Sequence, residues 1–176
     1  MDRTRARTAL SNAAAAQAEL YAPSRFKAGR SELERAETEM VIQLSRPRPF
    51  RRFSEAQLRF QKAAVTLRSA AQESLSQQDE FRQQAEDRLR EFDQIASQME
   101  KQLAELPAKF VKEKHIDMAF HELNLLRAEV PAIQEKLESG DYQSAYQAAT
   151  NLQTRETLLH QKTYDLIENR MVASVH

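Results

Sequence analysis

Residues able to do chemistry are few in this chain, and their spacing keeps them apart. There are four histidines: His115, His121, His160 and His176. His115 and His121 stand six apart, which on a helix puts them on different faces. A helical metal pair needs ligands three or four apart, as in a Glu-x-x-His site. His121-Glu122 has no second ligand at that spacing, so the histidines read as solvent or rim residues. With no cysteine, the chain has no thiolate chemistry, no Cys-type zinc site and no disulfide. Two glycines are too few for a phosphate-cradling loop, and no serine sits in a nucleophile elbow. Glu32, Glu34, Glu37 and Glu39, with Arg30 and Arg35, read as a solvated helix face with weak pairs. The expectation is a non-catalytic protein with no cofactor and no metal. An enzyme reading would need carboxylates converging in a groove between helices.

One stretch does concentrate charge. Ser45 to Phe53, SRPRPFRRF, carries Arg46, Arg48, Arg51 and Arg52, with Phe50 and Phe53 among them. Guanidinium groups suit bidentate contact with phosphate or carboxylate, and aromatic rings suit an interface. Arg46, Arg48, Phe50, Arg51 and Arg52 are therefore the candidate residues for binding an anion or a partner. The plainer alternative is a rigid turn whose phenylalanines staple helices and whose arginines stay in water. Tyr142, Tyr146 and Tyr164 could face a partner, although aromatics at helical spacing are more often core.

The elements that would carry these residues are all helices. Ser54 to Leu106 contains no Pro and no Gly. At 1.5 Å per residue it would span roughly 80 Å. Its last third spaces Ala85, Leu89, Phe92, Ala96, Met99, Leu103 and Leu106 alternately four and three apart, the seam of coiled-coil-like packing. A first helix is expected from Asp2 to Leu20, Ala-rich from Ala13 to Ala16. Pro23 breaks it and starts a second, which runs to about Leu44 with Phe26, Leu33, Ala36, Met40 and Leu44 as its apolar stripe. Tyr21 and Phe26 fit a hydrophobic staple there. Gly29, inside that helix, predicts close approach of a neighbour. Pro47 and Pro49 forbid helix in the arginine turn. Ser54 with Gln57 fits a capping box, and Phe53 with Leu58 a second staple.

Beyond the long helix, Pro107 ends it. A following stripe of Phe110, Ile116, Phe120, Leu123, Leu126, Val130, Ile133 and Leu137 should be kinked or split at Pro131. Ser139-Gly140-Asp141 is the sharpest turn signal, with Gly140 in a left-handed position and Asp141 as a cap. A last helix carries Tyr142, Ala145, Ala149, Leu152, Glu156, Leu159, Thr163 and Leu166, and should fray near Ala173. The six segments match in length by threes, and Gln77 to Glu80 interrupts the long seam. We therefore expect an all-α, elongated antiparallel helical bundle: two three-helix lobes, 1–76 and 77–176, sharing the continuous helix 54–106. The alternative is one long hairpin whose exposed seam forms a homodimeric coiled-coil spacer.

Composition bounds the partners. The 26 basic and 26 acidic residues cancel, which argues against nucleic acid and gives no global steering toward anionic surfaces. No apolar run approaches ~20 residues, so no transmembrane segment is expected, while peripheral membrane contact stays open through the arginine turn. Gln17 and Glu19 interrupt the Ala-rich N-terminal stretch, which does not read as a signal peptide.

Two segments carry a resemblance. AELYAPSRFKAGRSELERAE resembles the motif of YAP followed by an Ala-rich helix found in a family of uncharacterised bacterial envelope proteins, often lipoproteins. ESGDYQSAYQAATNLQ resembles the GDY turn-helix of the same family. GDY turns also occur in tetratricopeptide repeats, but no ~34-residue repeat is present. The resemblance implies export and a non-enzymatic envelope role, and it brings no functional residue with it. The expected function is a non-catalytic helical scaffold or protein-interaction module of the bacterial cell envelope, in the periplasm, with the cytoplasm as the other compartment. The remaining alternative is an adaptor docking an anionic ligand through the Arg46–Arg52 turn.

Overall fold

The computed structural model describes the backbone of residues 2–105 and 113–173, and the side chains of residues 2–105 and 114–165. Every regular element among the described residues is helical. In chain order these are α1 (Asp2–Ala15), α2 (Ala18–Tyr21), α3 (Pro23–Ser45), α4 (Ser54–Glu105), α5 (Glu113–Arg127), α6 (Val130–Glu138) and α7 (Tyr142–Ala173). A 3-10 turn, Arg48–Phe50, lies between α3 and α4. The chain is an all-α helical bundle built on α4. It divides into two compact units, Met1–Asp79 and Glu80–His176, and the division falls in the polar stretch Gln77 to Glu80. Leu106, Pro107, Phe110, His176 and the side chain of Leu166, all weighed in the sequence, lie outside the described residues.

In the first unit, α1, α3 and the first half of α4 pack with α3 antiparallel to the other two. Polar pairs show the directions. Arg25 of α3 meets Glu73 of α4 at 2.6 Å, and Glu32 meets Lys62 at 3.2 Å. Arg7 of α1 meets Glu37 of α3 at 2.7 Å. The core is mostly alanine: Ala6, Ala9, Ala13, Ala18, Ala36, Ala63 and Ala70 surround the larger Phe26, Leu33, Phe60 and Leu67. Small side chains let helices approach closely, and Gly29 marks the tightest point. A Cβ there would lie 2.7 Å from Cγ of the fully buried Leu67 and 3.2 Å from its backbone nitrogen. The close approach expected at Gly29 is therefore real, and its neighbour is α4.

The expected helix from Asp2 to Leu20 is two helices. Gln17 adopts left-handed angles, φ 55° and ψ 33°, between α1 and α2. Such a conformation costs a non-glycine residue on the order of 1–3 kcal/mol. The break takes the Ala16 carbonyl out of the helical ladder, since the Leu20 N–H turns to Gln17 instead. Two side chains of α4 take it up: the buried Ser74 hydroxyl donates to it, and so does Gln78 Nε2, at 2.7 Å. Nothing in the run from Ala13 to Ala18 announces this, because the partners come from sixty residues away.

Helix α4 starts one residue out of the expected register. The Gln57 N–H donates to the Phe53 carbonyl, so Phe53 is at the cap and Ser54 is already helical. The capping box expected from Ser54 and Gln57 is not formed. Leu58, expected to staple against Phe53, is 66% exposed. At the earlier break, by contrast, Tyr21 and Phe26 are both buried, and Pro23 is the first residue of α3.

The second unit repeats the arrangement with α4, α5–α6 and α7. Arg155 of α7 meets Glu129 at 2.6 Å and Lys162 meets Glu122 of α5 at 4.0 Å, so α7 runs antiparallel to the middle segment, while Arg127 of α5 meets Glu100 of α4 at 2.7 Å. Pro131 splits that segment: α5 ends at Arg127 and α6 begins at Val130. The proline has no N–H for the Arg127 carbonyl, and its ring would crowd it. Phe92, Met99, Leu123, Leu126, Ile133, Leu152 and Leu159 form a core of larger side chains here. At the α6–α7 turn the Asp141 N–H donates to the Lys136 carbonyl at 2.9 Å, and the Gly140 N–H to Leu137 at 3.2 Å. With Gly140 at φ 80°, this is a Schellman motif. Asp141 Oδ1 then accepts the Ser144 N–H at 3.3 Å and caps α7, as its sequence position indicated.

Candidate functional site

Arg46, Arg48, Phe50, Arg51 and Arg52 all fall in the short connection between α3 and α4. Helix α3 stops because Pro47 cannot continue it and disfavours helical angles at Arg46, which is extended at φ −75° and ψ 151°. Pro49 sits within the 3-10 turn that follows. Arg51 secures the geometry. Its Nε donates to the Arg46 carbonyl at 2.9 Å, and its Nη2 donates to the Leu44 carbonyl at 3.0 Å. One guanidinium thus satisfies two carbonyls that the end of α3 leaves free. Two of the Arg51 donors are thus engaged by the backbone, which gives this arginine a structural part in the turn.

A residue absent from the sequence-based set completes the turn. Gln43 is buried; its Oε1 accepts the Arg52 backbone N–H at 2.9 Å, and its Nε2 donates to Glu39 at 2.7 Å. The amide ties the last turn of α3 to the residue just before Phe53. Its place on the apolar stripe, seven residues after Ala36, was the signal available in the sequence.

The remaining arginines face solvent. Arg46, Arg48 and Arg52 are exposed, and no ion pair involves them among the described residues, although Arg46 Nη1 donates to Gln43 Oε1 at 3.5 Å. Residues 40–54 contain four arginines and no acidic residue. Phe50 does not staple the helices; it is 68% exposed. Val41, Ile42 and Leu44 on α3 and Leu58 on α4 are exposed as well.

The other residues weighed for chemistry are dispersed or structural. Among the described residues no three His, Cys, Asp or Glu side chains gather as metal ligands. His121 is exposed and His160 half-buried, while Nδ1 of the half-buried His115 is shielded without a hydrogen-bond partner. The acidic face of α3 is more than solvated: Glu32 meets Arg35, Arg59 and Lys62 at 3.2–3.6 Å, and Glu37 reaches α1. These carboxylates join helices. Tyr146 packs on Phe81 with ring centroids 5.4 Å apart, and the Arg88 guanidinium lies 5.1 Å from its ring centre. Tyr142 is half-buried and Tyr164 exposed.

One titratable group in the second unit is out of the ordinary. Glu156 is 1% exposed, and among the described residues neither carboxylate oxygen has a hydrogen-bond partner. Burial, and secondarily the negative charge of Glu91, push its carboxyl up to about 7. It stands on the buried stripe of α7 between Leu152 and Leu159.

No family model, curated protein or solved structure matches this chain. The arrangement of its own residues is what bears on function.

Proposed function

We propose that this chain is a non-catalytic helical interaction module, a scaffold of two helical units on α4, whose docking end is the turn from Arg46 to Arg52. The observation that carries this reading is the turn itself. Three arginines point to solvent without acidic partners, on a backbone fixed by two prolines, by Arg51 and by Gln43. A turn whose backbone is already fixed loses less entropy when its arginines engage a carboxylate or phosphate. The resemblance of the YAP and GDY segments supports placing the module in a bacterial cell envelope.

The test is binding of full-length protein to a soluble polyanion, polyglutamate or polyphosphate, at low and at raised salt. We expect salt-sensitive binding that is lost in the Arg48→Gln/Arg52→Gln double variant with helicity unchanged. Arg51 is left intact, because its removal would uncap α3 and confuse folding with binding. Absence of any polyanion binding would remove the docking role from this turn. A concentration-dependent dimer in sedimentation would select the homodimeric spacer reading instead.

A further inference from the structure

We infer that the α3–α4 turn docks on a lipid bilayer that carries anionic headgroups, with Phe50 entering the interfacial layer and Arg46, Arg48 and Arg52 binding the headgroups. This rests on the reading of the turn as a docking end and names its partner.

Three observations favour a bilayer over a folded protein. The first is where the apolar residues point. Successive residues of a helix are turned by about 100°. Gln43 faces inward and is buried, so Val41, Ile42 and Leu44 occupy the remaining directions around the end of α3. Val41 is 66% exposed, and Leu58 adds apolar surface from α4. Apolar surface therefore surrounds the tip. A protein partner covers one side of such a tip, whereas the interfacial region of a membrane encloses it.

The second observation concerns the backbone. Moving a turn out of water is costly where N–H groups lack acceptors. Here the N–H groups of Arg46, Phe50, Arg51 and Arg52 bond to Gln43 O, Pro47 O, Arg48 O and Gln43 Oε1 respectively. Pro47 and Pro49 have no N–H. The carbonyls of Leu44 and Arg46 are held by Arg51. The tip arrives with these polar groups already paired.

The third is charge. Arginines with no carboxylate between residues 40 and 54 complement phosphate headgroups. An aromatic ring at the end of a basic turn suits the boundary between headgroup and acyl chain. Because the whole chain is neutral, attraction would come from this end and not from overall charge.

The chain has no tryptophan, so Phe50→Trp introduces a single reporter at an exposed position. Full-length Phe50→Trp protein is mixed with vesicles of phosphatidylcholine alone or with phosphatidylglycerol added, and the parent protein is co-sedimented with the same vesicles. We expect a blue-shifted emission and co-sedimentation only where phosphatidylglycerol is present. Arg48→Gln/Arg52→Gln should weaken partitioning roughly thirtyfold, at about 1 kcal/mol per arginine near an anionic surface. Val41→Ser/Leu44→Ser should weaken it with all arginines retained. Circular dichroism checks that each variant keeps its helices. Binding to polyglutamate without binding to vesicles would overturn the bilayer proposal and leave the docking end intact. Binding to neither would remove both. Co-sedimentation with unshifted emission would overturn entry of Phe50 into the interface.

Discussion

Glu156 occupies a position on α7 that the helical period assigns to an apolar residue. Its carboxyl is buried without a hydrogen-bond partner among the described residues, and burial raises its pKa from 4.5 to about 7. A folded-state pKa above the unfolded one means that folding favours the protonated acid. The contribution of Glu156 to stability is then fully present below about pH 4.5, is lost as pH rises from 4.5 to 7, and stays lost above 7. Glu156→Gln should remove this slope. The variant should match the parent near pH 4 and melt higher at pH 8, with a gain on the order of 1–3 kcal/mol, because an amide escapes the cost of ionising a buried carboxyl. Equal melting at pH 8 would show that the carboxylate finds solvent. Gly29 poses the opposite case. Alanine raises helix propensity by about 1 kcal/mol, but its methyl would collide with Leu67 Cγ at 2.7 Å. Overpacking costs typically about 1–3 kcal/mol. Gly29→Ala should therefore lower the thermal midpoint of the protein despite the better helix former.

At the scale of elements, the breaks between helices differ in where their signals lie. The Ser139-Gly140-Asp141 turn is encoded locally, with each residue in the role its type favours. A Cβ on Gly140 would meet no atom within 4 Å, so the strain in a variant comes from the positive φ alone. Gly140→Val should cost about 1–2 kcal/mol, and Asp141→Ala about 1 kcal/mol through its cap. Chemical denaturation of both variants checks this, and unchanged midpoints would contradict the Schellman geometry. The break at Gln17 is encoded at a distance. Ser74→Ala removes a buried hydroxyl donor from the Ala16 carbonyl and should cost about 1–3 kcal/mol. It should also raise amide exchange around residues 16–20, read by hydrogen–deuterium exchange. A change confined to α4 would mean that the break stands without that bond.

For the molecule as a whole, the two units differ in what they bury. The first relies on alanine, whereas the second packs Phe92, Met99, Leu123, Leu126, Ile133, Leu152 and Leu159 together. Apolar area removed from water sets the hydrophobic contribution, about 25 cal/mol per Å², so the second unit should be the more stable. We expect a fragment from Ser76 to His176 to unfold cooperatively as a monomer, followed by circular dichroism. The matching fragment ending at Asp79 should be the weaker of the two. A molten or concentration-dependent Ser76–His176 fragment would show that its α4 seam needs another chain.

Helix type, the long uninterrupted α4, the split at Pro131, the stop at Pro47 and the Gly140 turn follow from the sequence alone. Each depends on a residue's own backbone preference or on the spacing of neighbours within a turn or two. The arginine cluster was legible too, as a count of charges in a proline turn. Tertiary structure decided which groups hold the turn together. Arg51 turns back onto the Leu44 and Arg46 carbonyls, and Gln43 reaches forward to Arg52. It also decided that Phe50 and Leu58 face outward, that Ser74 and Gln78 hold open the break at Gln17, and that Glu156 is buried without a hydrogen-bond partner among the described residues. Backbone preference is a local property and can be read from order along the chain. Donor–acceptor pairing and burial depend on residues that range from five to 62 positions apart, and only the folded chain brings those together.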